Sequence, residues 1–245
     1  MQNQDTFSNL NKKEKDIMTV AVIKGLIMDT VRYANSGHTG GPMSSSDYAY
    51  ILYKEFLNFD PNDPNWFNRD RFILSAGHES ALQYVLLTMI GWLELDDLKK
   101  FRQLHSKTPG HPEIEMDGVE CTTGPLGQGF GMSTGMALAE SFLNNTLKSI
   151  DEEASSLVDH FTYVIASDGD MQEPITLGSA SLSGHLGLSK LIVFYDSNEV
   201  QISGGVSRSD STDYGAVFKG FGWHVQKIDG HDPVSYTHLT LPTKA

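Results

Sequence analysis

Asp168 and Asn198 lie thirty residues apart, each in a polar run directly after an apolar stretch. The first run is Ser167-Asp168-Gly169-Asp170 and the second is Asp196-Ser197-Asn198. A carboxylate and an amide oxygen are the hard donors that Mg2+ and Ca2+ prefer. A backbone carbonyl nearby, such as that of Val200, offers a third oxygen. Oxygens of a bound ligand and a water would bring the total to about six. Each run by itself reads equally as ordinary turn chemistry. Their spacing, with one helix and one strand between, favours a shared site. Histidines point the same way. Of nine, five follow a glycine: His38, His78, His111, His185 and His231. A glycine lets the backbone bend so that the imidazole reaches into a cleft. His185 falls at a helix end and His160 and His224 at or within strands, so these three read as structural.

The elements that must carry these groups follow from periodicity. Val20, Ile23, Ile27, Val31 and Ala34 recur at helical spacing, and Ser36-Gly37 is expected to end that helix before His38. Ser44 to Ser46 are expected to cap a second helix through Tyr50, Ile51 and Phe56. Arg71 to Ser75 reads as a buried strand, with Ala76-Gly77-His78 as its loop and Ser80 as cap of a helix over 81–92. Lys107 to Glu115 is a Pro/Gly loop, and Gly124-Pro125-Leu126-Gly127 opens another helix. Along that helix Gly127, Gly131, Gly135 and Ala139 form a smooth face for close packing on a sheet or a partner helix. Further strands are expected at 162–166, 191–195 and 223–228, with a helix at 175–186 between the first two. This alternation predicts one α/β domain over 8–232, a three-layer αβα arrangement with a parallel sheet and helices on both faces. In such sheets ligands bind beyond the carboxyl ends of the strands, where both oxygen-bearing runs fall.

Composition narrows the function. Asp and Glu total 31 against 18 Lys and Arg, a formal charge of −13, which argues against a nucleic-acid partner. On so acidic a chain any phosphate ligand would need a metal ion, a helix N-terminus or a local cluster of His and Arg to hold it. Cys121 is the single cysteine, so no intrachain disulfide exists. Met1 to Asn11 lack the apolar core of a signal peptide, and no run approaches a membrane span. A cytoplasmic protein with no membrane partner is expected.

Several motifs in order resemble those of transketolases. They are 36–43 (Ser-Gly-His-Thr-Gly-Gly-Pro-Met), 75–78 (Ser-Ala-Gly-His) and 105–113 (His-Ser-Lys-Thr-Pro-Gly-His-Pro-Glu). They continue at 122–129 (Thr-Thr-Gly-Pro-Leu-Gly-Gln-Gly) and 194–198 (Phe-Tyr-Asp-Ser-Asn). The pair Asp168-Gly169 with Asn198 is similar to the thiamine-diphosphate signature, Ser167 replacing its first glycine. The 105–113 stretch favours transketolase over deoxyxylulose-phosphate synthase, the alternative enzyme. The resemblance implies thiamine diphosphate as cofactor with Mg2+ or Ca2+ held by Asp168, Asn198 and the Val200 carbonyl. It implies that His78 reaches the diphosphate and that Gly124, Leu126 and Gly169 seat the cofactor. His38 and His111 would face a sugar phosphate and assist proton transfer, and Glu173 would lie at a dimer interface. The implied reaction moves a two-carbon ketol unit from a ketose phosphate to an aldose phosphate, as in the pentose phosphate pathway. Thr39 and Pro174 depart from the family pattern.

In that family a second, pyrimidine-binding domain completes the active site, and nothing after Asp232 resembles it. Residues 233–245 have no family look and read as a tail of unknown origin, a truncated or misjoined reading frame being the suspected cause. The chain is therefore expected to be a split or truncated transketolase, working as a homodimer or with a C-terminal subunit. The other readings are an inactive fragment and a non-catalytic cofactor-binding module.

Overall fold

Three short strands alternate their apolar side chains between two faces, and that alternation builds the molecule. The computed structural model describes residues 9–201 and 204–232. Strands β1 (Arg71–Leu74), β2 (Thr162–Ser167) and β3 (Leu191–Asp196) pair in parallel in the order β1-β2-β3. The register sets Arg71 opposite Thr162 and Thr162 opposite Leu191. Phe72, Leu74, Tyr163 and Ile165 point to one face, where they pack with Ile23, Ile27, Leu52, Leu82 and Leu86. Ile73 and Val164 point to the other face with Ala137 and Leu191, and Ala166 packs there with Phe130 and Ala180. Every residue of β2 is buried, as expected of a parallel strand covered on both sides. The three-layer α/β arrangement read from the sequence is the one observed.

The helices divide between the two faces. α1 (Lys12–Ala34), α2 (Gly40–Ser44), α3 (Ser46–Ile51) and α4 (Ser80–Met89) belong to the first, followed by the one-turn α5 (Leu95–Leu98). α6 (Gln128–Ile150), α8 (Pro174–Leu186) and α9 (Tyr214–Gly220) belong to the second, and the one-turn α7 (Asp168–Met171) leads into α8. α1 starts at a capping box in which Asn11 and Glu14 each accept the other's backbone N–H. It ends one residue earlier than expected, because Asn35 takes a left-handed conformation with φ 49°. Among the described residues no helix is long and apolar enough to cross a membrane.

Three expectations need correction. Residues 223–228 form no strand. Their side chains alternate as a strand's would, but the Trp223 N–H bonds the Phe218 carbonyl and its indole N–H bonds the Ala180 carbonyl. Those bonds tie the segment to α9 and α8 rather than to the edge of β3. The serines at 44–46 cap nothing: Ser45 makes no side-chain cap bond, and the Ser46 hydroxyl donates back to the Pro42 carbonyl at 2.7 Å. Ser80 likewise is not a cap; its hydroxyl donates to the Gly110 carbonyl at 2.8 Å, which anchors the loop before His111. The expected tail at 233–245 and the start of the domain at Ser8 lie outside the described residues.

The small-residue face of α6 is packed at one end only. A Cβ on Gly131 would touch Ile175 of α8 at 3.2 Å, whereas one on Gly135 would meet nothing within 4 Å. Gly129, off that stripe, is the tightest point of the helix: its Cβ would fall 2.5 Å from the Ser75 Cα. Two substitutions of one kind should therefore have opposite signs in urea denaturation. Gly135→Ala should raise stability by about 0.5–1 kcal/mol through helix propensity. Gly129→Ala should lower it by about 2 kcal/mol or more, since backbone cannot yield as a side chain can.

Candidate functional site

The carboxyl ends of β1, β2 and β3 carry the loops that the sequence singled out. After β1, the turn 77–79 presents His78, and a Cβ on Gly77 would lie 2.6 Å from the Gly124 backbone nitrogen. Two loops far apart in sequence thus meet backbone on backbone. His111 joins them: a Cβ on Gly124 would lie 3.2 Å from its ring, and Tyr84 of α4 donates its hydroxyl to the His111 carbonyl at 3.1 Å. His38 enters from the α1–α2 loop, its ring centroid 5.2 Å from that of His78 in an edge-to-face contact. His38, His78, His111 and Gly124 therefore converge. Burial is the first cause that holds all three imidazoles below their usual pKa, so they favour the neutral form. Each then keeps one N–H donor and one acceptor nitrogen.

Leu126 and Gly169 also come together. A Cβ on Gly169 would fall 2.5 Å from Leu126 Cδ1, so Leu126 lies directly over the loop after β2. Gly127 has φ 78°, and a Cβ there would fall 2.7 Å from the Glu173 Cβ, which places Glu173 beside the start of α6. Pro174 occupies the first turn of α8, where its missing N–H costs nothing, so that departure fits the local structure.

Asp168 opens α7 with its carboxylate turned toward β3. It accepts from the Tyr195 hydroxyl and from the Glu199 N–H at 2.9 Å, which pins it to the loop bearing Asn198. Glu199 turns that loop with φ 60°. The Asn198 Oδ1 accepts from the Val200 N–H at 3.0 Å, and its Nδ2 donates to Asp196 at 2.7 Å. Val200 is exposed, and its backbone carbonyl is the one oxygen that it could offer an ion. Burial raises the pKa of both Asp168 and Asp196, partly offset by these hydrogen bonds.

A divalent ion suits this donor set. Asp168, Asp170, Asp196 and Glu79 gather at the strand ends, and among the described residues none is in an ion pair. Asp168 and Asn198 offer hard oxygens, each with acceptor capacity remaining. No three carboxylate, imidazole or thiol groups of the described residues gather as a metal site.

Three residues of the site escaped the sequence reading. Asp170 is fully buried and accepts from Ser75 Oγ (2.5 Å), the Gly127 N–H (2.8 Å), the Ser167 N–H (2.9 Å) and Ser167 Oγ (2.8 Å). It ties the ends of β1 and β2 to the start of α6. The Ser-x-x-Asp spacing of Ser167 and Asp170 was the signal that could have revealed it. Glu79 is fully buried beside Gly41, and nothing in its local sequence announces that. Arg102 lies next to Gly110 and bonds Ser36.

The fold and these loops together define a three-layer α/β domain whose strand ends gather imidazole and carboxylate groups. Residues 15–242 match the family model described as transketolase, thiamine diphosphate binding domain, and the chain belongs to that family. It is 51% identical over 221 residues to a transketolase of Staphylococcus aureus strain MW2, covering 89% of this chain and 33% of that protein. A transketolase structure from Leishmania mexicana superposes with a TM-score of 0.85 at 42% identity, covering 89% of this chain and 32% of that one. A Pichia stipitis transketolase in complex with sedoheptulose 7-phosphate gives 0.84 at 40% identity, covering 90% and 33%. The chain thus spans about a third of the length of the relatives it matches.

Proposed function

We propose that this chain holds thiamine diphosphate and a divalent ion, Mg2+ or Ca2+, for a transketolase that moves a two-carbon ketol unit between sugar phosphates. The observation that carries this reading is the convergence of His38, His78, His111 and the Gly124–Leu126 loop with the Asp168–Gly169 loop, beyond three adjacent parallel strands. Asp168, Asn198 and the Val200 carbonyl would hold the ion, which offsets the acidic crowd beneath a diphosphate. His78 would donate to a diphosphate oxygen. Gly124, Leu126 and Gly169 would seat the cofactor, because their bare or apolar surfaces admit a ring close to the backbone. When bound, thiamine diphosphate supplies the electron sink for breaking and making the carbon–carbon bond. His38 and His111, kept neutral, would accept and return protons at the sugar hydroxyls near neutral pH. The sedoheptulose 7-phosphate bound by the Pichia stipitis relative supports sugar phosphates as substrates.

Turnover is proposed to need a second, pyrimidine-binding domain, supplied by a homodimer partner or a C-terminal subunit, with Glu173 at the interface. A cytoplasmic location fits the single buried cysteine. Titration calorimetry tests the cofactor reading. The chain should bind thiamine diphosphate with Mg2+ or Ca2+ present and lose roughly 100-fold in affinity, about 2.7 kcal/mol, in EDTA or in Asp168→Ala. Equal affinity with and without EDTA would sink the metal assignment. No binding under any condition would sink the cofactor assignment.

A further inference from the structure

Arg102 stands out among the residues that the proposed reaction leaves unused. The chain carries far more acid than base, yet among the described residues no carboxylate is in ion-pair contact with Arg102. Its backbone is strained, with φ 61°, and is held there by its N–H on the Thr108 carbonyl at 2.8 Å. A non-glycine residue in that region is worth an explanation. The conformation sends the guanidinium between two loops. Nη1 donates to the Ser36 hydroxyl at 2.6 Å, two residues before His38. Nε is buried without a partner and would lie 3.1 Å from a Cβ on Gly110, one residue before His111. The neighbouring Phe101 fills the space under Gly37, whose Cβ would lie 2.9 Å from its ring.

We propose that Arg102 is a positioning residue: it straps the His38 loop to the His111 loop and keeps a fixed positive charge beside both imidazoles. The inference rests on the reading of those two histidines as proton-handling groups. A fixed cation nearby disfavours imidazolium, so the rings keep a free lone pair at neutral pH. The charged and titratable neighbours agree. After burial, Arg102 is the next cause lowering His38, and for His111 it comes before His38 itself. His78 feels His38, Asp170 and His111 instead. A large side chain at Gly110 would push the guanidinium aside, and loss of the Ser36 hydroxyl would free its other end.

The test is a pH titration of the chain with nitrogen-15-labelled histidines, followed by NMR. In Arg102→Gln the midpoints of His38 and His111 should move to higher pH, raising the ratio of imidazolium to imidazole roughly two-fold or more at a given pH. His160, perturbed by burial with Arg71, Lys190 and Arg69, should not move. Arg102→Lys retains the charge but cannot reach both loops, so it should hold the midpoints while loosening amide protection at 36–38 and 110–111. Ser36→Ala, an exposed change, should shift His38 in the same direction by less, and it serves where Arg102→Gln fails to fold. Unmoved His38 and His111 midpoints in a folded Arg102→Gln, or in Ser36→Ala where Arg102→Gln does not fold, overturn the proposal. Calorimetry on the same samples reads thiamine diphosphate binding separately, so a failure there is distinguishable from a failure of the strap.

Discussion

Asp170→Ala is expected to lower the stability of the chain by about 3–5 kcal/mol, a cost on the scale of breaking a buried charged network. The carboxylate accepts four hydrogen bonds in a fully buried position, two on each oxygen. Alanine leaves Ser75, Gly127 and Ser167 with donors that water cannot reach. Removing one partner of such a set costs the full desolvation of those left behind. Asp170→Asn keeps one acceptor oxygen and turns the other side into a donor, so about half of the loss is expected. Urea denaturation reads the stability, and hydrogen exchange at the Gly127 amide reads the loop. Because the Gly127 N–H is one of the four donors, the Gly124–Leu126 loop should loosen in both variants. An alanine variant within 1 kcal/mol of the native chain would show that the network is dispensable.

Glu79→Gln is expected to do the opposite, and only at high pH. Glu79 is fully buried, and burial together with the nearby Asp196 and Asp170 carries its pKa up to about 8, against a modest pull downward from the Ser45 hydroxyl. Neither carboxyl oxygen has a hydrogen-bond partner of good geometry. The folded protein therefore holds a proton that the unfolded chain releases near pH 4.5. Between those values the folded state binds more protons than the unfolded state, so stability falls as pH rises. From pH 5 to pH 8 the loss attributable to this group is about 3–4 kcal/mol. Glutamine has the shape of the protonated acid and cannot ionise. Its stability relative to the native chain should grow by that amount over the same interval, with little difference at pH 5. A glutamine-minus-native difference that is flat between pH 5 and pH 8 would mean that Glu79 titrates as an exposed carboxylate. At pH 8 the ionised Glu79 would also press on Asp196, which hydrogen-bonds Asn198, so cofactor binding should weaken with pH in the native chain more than in the variant.

Much of this architecture was legible in the residues. Arg71–Leu74, Thr162–Ser167 and Leu191–Asp196 are short apolar runs followed by polar loops, and burial on both faces leaves a parallel strand little other choice of residue. Ile23, Ile27 and Val31 repeat at helical spacing because one face of α1 must meet the sheet. The strand read at 223–228 shows where such reasoning stops. Alternation fixes which way side chains point, but a strand exists only if a neighbour supplies its ladder. Trp223 finds its hydrogen bonds on α8 and α9 instead.

Asp168 and Asn198, like the Gly-His pairs at His38, His78 and His111, announce themselves because their chemistry depends on residue type and local turn geometry, both written in consecutive residues; the pairs at His185, inside α8, and His231, against Asp47, lie elsewhere. The sequence by itself therefore determined the three strands of the parallel sheet, the loops at their ends and the candidate ligands. Only the tertiary structure decided which buried charges serve those loops. Asp170 differs from Asp168 by two positions, which is about half a turn of helix, so one faces inward to four donors and the other faces β3. Glu79, Arg102 and Gly129 act through partners 38, 66 and 54 residues away, at Gly41, Ser36 and Ser75. The physical reason is that burial and Coulomb fields depend on distances in space, and those are set by packing that no local stretch of chain records.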